Sequence, residues 1–179
     1  MLVGLVSLTF FFGGLILAYG LIIQQQLTWQ RFKVPGVLWA GLGFLVLSSG
    51  FLESARYALR RALVVTYRER VAITVALAFG FLTVQVIAAV ELLRQGVAAA
   101  GNPHGSVFYI FMAIHGAHLG VGIGWLVYLW LKARALLSGT EQDLRRHRRA
   151  AAAAAMFWHF MGGLWLVLFF FLHRWTTPS

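Results

Sequence analysis

Residues 107–131 read VFYIFMAIHGAHLGVGIGWLVYLWL, 25 residues without one Asp, Glu, Lys or Arg. A helix crosses a bilayer with about 20 apolar residues, so this run predicts a membrane span by itself. Residues 2–23, 34–52, 71–90 and 150–172 form comparable runs. All five are continuously apolar rather than alternating, which selects helices over barrel strands. The connections are too short for a further domain. The expectation is an all-α integral membrane bundle of five transmembrane helices, one domain over residues 1–179.

Composition supports this: 60% of residues are hydrophobic and 11% charged, as in an integral membrane protein. A net charge of +10 would suggest nucleic acid for a soluble chain. Here the positions argue for topology instead. Arg56, Arg60, Arg61, Arg68 and Arg70 follow the second run, and Lys132, Arg134, Arg145, Arg146, Arg148 and Arg149 follow the fourth. The opposite side holds only Arg31, Lys33, Arg94 and Arg174. The positive-inside rule then places the N-terminus in the cytoplasm and the C-terminus outside. Basic loops at that surface attract anionic lipid, and no nucleic-acid partner is expected. The first run has no basic residue before it, so it reads as a retained span rather than a signal peptide. The chain has no cysteine, which excludes disulfides and thiolate metal centres. Redox chemistry here would have to run through histidines.

Residues 24–33 read as an outer connection closed by Pro35 at the first turn of the next helix. The second run carries Gly36, Gly43 and Gly50 at intervals of seven, and at its end Glu53 and Arg56 share a face. Gln85, the polar residue of the third run, reads as an interhelical hydrogen bonder. Residues 101–105 read as an outer turn, and the Gly139 region breaks the inner loop before the last helix starts at Ala150.

His115 and His118 lie mid-way along 107–131, and His159 lies within Trp158-His159-Phe160. Imidazoles are costly in lipid, so they are expected to face protein, a partner or a head group. Gly116, Gly120 and Gly124 form a smooth stripe between the first two, where another helix can approach closely. Haem held by His118 and His159 is the sharpest alternative. At about 1.5 Å per residue, His118 and His159 lie roughly 16 and 20 Å below the outer end. Hydrogen-bonded structural histidines are the plainer expectation. Glu53, Glu69, Glu91, Glu141 and Asp143 all fall at run ends or in loops, so an ion-coupled transporter lacks its usual intramembrane acid. Ser48, Ser49 and Ser54 have no base and acid at a matching depth. No catalytic site and no metal site are expected.

The residues resemble the cytochrome c oxidase subunit III family in its short five-helix bacterial form. Phe108-Tyr109 followed by His115-Gly116-Ala117-His118-Leu119 is similar to the family's fourth-helix signature, and Trp158-His159-Phe160 through Trp165 to its fifth. Leu47-Ser48-Ser49 before Ala55, Gly80-Phe81-Leu82 with Gln85 and Glu91, and Phe10-Phe11-Phe12 with Ala18-Tyr19 resemble the second, third and first. Departures are plain. The family's Ser-Glu pair in the first helix is Ser7-Leu8 here, the aspartate after the Trp-His-Phe motif is Gly162, and the tyrosine of the closing motif is His173.

The resemblance implies an accessory, non-catalytic subunit of a haem–copper terminal oxidase in the inner membrane of a bacterium. Such a subunit binds no redox cofactor itself. Haem and copper reside in the catalytic partner subunit, structural phospholipids bind alongside, and the subunit helps sustain proton uptake and turnover. Lys132 takes the place of the family's lipid-contacting basic residue at the inner end of the fourth helix, and reads equally as an ordinary interface lysine whose head snorkels to water. His115, His118, His159, Trp158, Glu53 and Arg56 are expected at lipid or subunit contacts. Two other readings are a subunit III-like protein of a nitric oxide reductase, which the lost acids at Leu8 and Gly162 favour, and a b-type cytochrome anchor with haem on His118 and His159.

Overall fold

The computed structural model describes residues 2–25, 35–96 and 103–176, and these are helical with no strand among them. Five α-helices follow one another: α1 (Leu2–Gln25), α2 (Val37–Arg60), α3 (Val64–Arg94), α4 (Pro103–Lys132) and α5 (Glu141–Thr176). A short 3-10 helix, Ala133–Leu137, continues α4. Within the described residues Val37–Arg60, Val64–Arg94, Tyr109–Leu137 and Glu141–Phe170 are long and apolar enough to cross a membrane, while in α1 the apolar stretch is the shorter Val6–Ala18.

Several boundaries differ from the sequence expectation, the starts of α4 and α5 among them. Helix α4 begins at Pro103, where proline's fixed φ and missing N–H suit the first turn, so only residues 101–102 of the expected turn lie outside the described residues. The expected 24–33 connection falls largely outside them too. Helix α5 begins at Glu141, well before Ala150. A capping box starts it: the Thr140 N–H donates to Asp143 Oδ2 (2.9 Å), and the Asp143 N–H donates back to Thr140 Oγ1 (3.3 Å).

Helices α2 and α3 form a tight antiparallel hairpin. Leu63 N–H reaches Ala58 O and Ala62 N–H reaches Leu59 O, the paired bonds of a Schellman ending. Ala62 takes the left-handed conformation (φ 58°) where glycine is usual. Arg148 of α5 adds two donors at this end, Nε to Leu59 O, which thus accepts twice, and Nη2 to Arg60 O, both 3.1 Å. One residue away, the Tyr67 hydroxyl and His147 Nε2 lie 2.9 Å apart in a buried contact. This end of the bundle is therefore tied across α2, α3 and α5.

The main core lies among α2, α3, α4 and α5, around Leu45, Leu52, Phe81, Leu126, Trp158 and Trp165. Helix α1 joins through Phe12, which is fully buried against Phe111 and flanked by Leu164 and Leu168. Four glycines set the close approaches. A Cβ on Gly41 would meet Val84 at 3.3 Å, on Gly80 the Phe44 ring at 2.7 Å, on Gly122 Phe157 at 3.2 Å, and on Gly162 Leu45 at 2.9 Å. Among the described residues, nothing lies within 4 Å of a Cβ on the regularly spaced Gly36, Gly43 and Gly50, or on Gly116, Gly120 and Gly124.

Candidate functional site

The polar side chains of the bundle gather on α2 and α5. Arg60 continues α2 beyond the apolar run, so Glu53 sits inside the helix, roughly 10 Å from that end, rather than at it. Arginine stems extend a helix in this way because their heads return to the interface. Glu53 Oε1 accepts from Arg56 Nη1 at 2.6 Å, one helical step away. From α5, His159 Nε2 lies 2.8 Å from the same oxygen. An ionised carboxylate only accepts, so this bond requires the proton on Nε2.

Helix α3 joins the group. Arg70 Nη1 donates to the Ser54 carbonyl at 2.9 Å and to Ser54 Oγ at 2.6 Å. Deeper along α2, buried Trp158 donates from Nε1 to Ser48 Oγ at 3.3 Å, and that hydroxyl donates to Leu45 O at 2.9 Å. Ser48 and Ser54 are thus held in packing bonds, neither beside a base that activates it. The Glu53 and His159 side chains remain 47% and 40% exposed on the bundle's outer face. A carboxylate so exposed within an apolar helix is costly against hydrocarbon and calls for a polar cover.

His118 belongs to a different helix pair. Its Nδ1 lies 2.7 Å from the Ile114 carbonyl, which fixes the proton on Nδ1, and its ring packs edge-on against Phe12 of α1 at 6.0 Å. His159 bonds to α2 and His118 packs against α1, so each ring of the alternative haem pair has its own neighbouring helix. His115 is 3% exposed, and both of its ring nitrogens lack hydrogen-bond partners among the described residues. The expectation of a hydrogen-bonded histidine fails there. Gln85 differs in the same way: its amide is buried without a partner rather than bridging helices.

Of the residues expected at contacts, Glu53, Arg56 and His159 converge, and exposed Lys132 stands apart at the end of α4. His115 and Trp158 are inside the bundle. Ser54 and Arg70 complete the cluster although the sequence reading gave them no such role. The serine directly after Glu53 was visible there, but its partner on α3 was not. Among the described residues no three His, Cys, Asp or Glu side chains group as metal ligands. The arrangement is suited to holding helices together and presenting a charged group to a neighbour.

Residues 28–177 match the family model for cytochrome c oxidase subunit III. Among similar proteins, a cytochrome c oxidase subunit 3 of Thermostichus vulcanus is 29% identical over 179 residues, covering 97% of this chain and 84% of that protein. A probable quinol oxidase subunit 3 of Staphylococcus saprophyticus is 26% identical over 155 residues, covering 87% of this chain and 74% of its own length. The quinol oxidase subunit 3 of Bacillus subtilis matches over 99 residues at 26% identity, 54% of this chain and 45% of that one.

Proposed function

The chain belongs to the cytochrome c oxidase subunit III family, and we propose that it is the accessory, non-catalytic subunit III of a bacterial haem–copper terminal respiratory oxidase. As a subunit III it is a multi-pass membrane protein that associates with catalytic oxidase subunits. The match across residues 28–177 carries this reading. In it, haem and copper belong to the catalytic partner and none to this chain. His118 and His159, each engaged with its own neighbouring helix, fit a structural role. The subunit supports assembly and sustained proton uptake by its partner from the bacterial inner membrane, with the N-terminus cytoplasmic and the C-terminus outside.

Three surfaces are available for contacts. The Glu53–Arg56–His159 group, half-exposed at bilayer depth, suits a polar partner from another subunit or a phospholipid head group. The stripe of Gly116, Gly120 and Gly124, where no described residue lies within 4 Å of a Cβ, suits a helix of another subunit. Lys132 at the inner end of α4 suits a lipid phosphate.

The test is purification of the tagged chain from its native membrane in mild detergent, with mass spectrometry of the largest co-purifying subunit. A haem–copper oxidase catalytic subunit is expected, with its recovery reduced by His159→Phe. Recovery of the chain alone with a haem absorption band would overturn the reading.

A further inference from the structure

Gln85 of α3 and His115 of α4 are 6% and 3% exposed. Neither amide atom of Gln85 and neither ring nitrogen of His115 has a hydrogen-bond partner among the described residues. Buried polar groups are almost always bonded, to protein or to ordered water. A group left unmatched gives up its hydration and gains nothing in exchange. Four such atoms on two adjacent helices therefore call for a common partner.

Face and depth bring the two side chains to one place. Gln85 lies one helical turn from Phe81, and His115 one turn from Leu119, so each shares a helix face with a member of the central core. Helices α3 and α4 pack together, and the Arg68 guanidinium over the Trp130 ring sets their register. Gln85 is 17 residues on from Arg68, and His115 is 15 residues before Trp130. At about 1.5 Å per residue the two sit within about 3 Å of the same height. Bulky side chains fill this part of the core toward α2 and α5. Val84, Phe81 and Trp165 close on Gly41, and Phe81 packs on Trp165 at 5.2 Å. A shared partner has to be small.

We propose that α3 and α4 bind a water molecule between Gln85 and His115, bridging the two helices inside the membrane. The donor and acceptor count matches. A neutral imidazole offers one donor and one acceptor, and the amide offers its N–H and its carbonyl oxygen. Water accepts from the two N–H groups and donates to the amide oxygen and the free ring nitrogen. Interior waters of this kind hold about three such bonds. The set carries no charge of its own, so a neutral guest fits it and an ion does not. The site is built from this chain alone and does not depend on which subunits surround it.

Two measurements test it. The first is cryo-electron microscopy of the complex purified with this chain, at a resolution that shows ordered waters. A density peak is expected about 2.7–3.2 Å from the Gln85 amide and from a His115 ring nitrogen. Gln85 bonded directly to His115, or both side chains without a peak between them, overturns the proposal. The second is the thermal midpoint of the full chain in mixed detergent micelles, for Gln85→Met, His115→Leu and the double variant. Each single change strips the water of partners and is expected to lower the midpoint by about 2–4 °C. The double variant removes the whole polar set and is expected to melt above either single one. Polar atoms that truly lack a partner predict the opposite sign, because replacing either residue by an apolar one then relieves a penalty. A rise in either single variant, or a double variant that melts below both, overturns the site. If a variant does not fold, the density in the wild-type complex decides alone.

Discussion

Gly162 stands where the resembling family carries an aspartate, and its surroundings show what fills the space. A Cβ at 162 would lie 2.9 Å from Leu45 Cδ1 and 3.6 Å from Cδ2 and Cγ. Leu45 is 5% exposed, so its branch has no outward route. Gly162→Ala therefore sets two effects against each other. Alanine inside a helix gains about 1 kcal/mol over glycine, while forcing a methyl into a filled core costs about 1–3 kcal/mol. The net expectation is a loss of up to about 2 kcal/mol. Gly163 supplies the control: nothing lies within 4 Å of a Cβ there, so Gly163→Ala reports helix propensity alone. Leu45→Ala by itself costs about 2–5 kcal/mol. In that background Gly162→Ala is expected to stabilise, giving a coupling energy of about 1–3 kcal/mol. Reversible denaturation of the four proteins and the control in mixed detergent micelles measures each value. If Gly162→Ala stabilises as much as Gly163→Ala, in both backgrounds, Leu45 does not occupy the space and the reasoning fails.

Three further outcomes follow from single contacts. Tyr67→Phe removes the partner of buried His147 and is expected to lower stability by about 1–3 kcal/mol; an unchanged denaturation midpoint would show that the contact is not needed at the inner end. Ala62→Gly relieves a left-handed alanine and is expected to stabilise by about 1 kcal/mol, with no gain meaning that the turn is shaped otherwise. In the isolated chain Gly122→Leu, which meets Phe157 and Trp158, is expected to cost about 1–3 kcal/mol. Gly120→Leu, with open space around it, stays within about 0.5 kcal/mol; equal losses in both would contradict the observed helix face.

The helical class and the approximate spans were legible because hydrocarbon imposes a length and a composition on every crossing. Helix ends were less legible where polar residues continue the backbone. The start of α5 was missed because hydropathy dismisses the stretch ahead of Ala150 as loop. Yet Thr140 with Asp143 three residues on is a local capping signature that sequence does carry. Glu53 was misplaced for a related reason, since Arg56 and Arg60 look like the end of a span while the helix passes through them. Its bond to His159, 106 residues away, depends on α2 lying beside α5. No local pattern encodes that.

Height and azimuth separate what could be read from what could not. Residue number gives depth along a helix at about 1.5 Å per step, and depth alone made His118 and His159 a conceivable pair. Direction around the helix is normally read from the polar face, and α4 offers none, being apolar on almost every side. The two histidines accordingly turn to different helices, one against Phe12 and the other against Glu53. The glycines obey the same limit. Gly116, Gly120 and Gly124 mark a smooth face by their spacing, but which face a neighbour covers is decided by the bundle, and within this chain Gly122 is the covered one. Regular spacing in a uniformly apolar helix is thus evidence that a close approach is possible. Evidence of which helix makes it has to come from residues whose partners are specific, as Glu53, Ser54 and Arg70 are here.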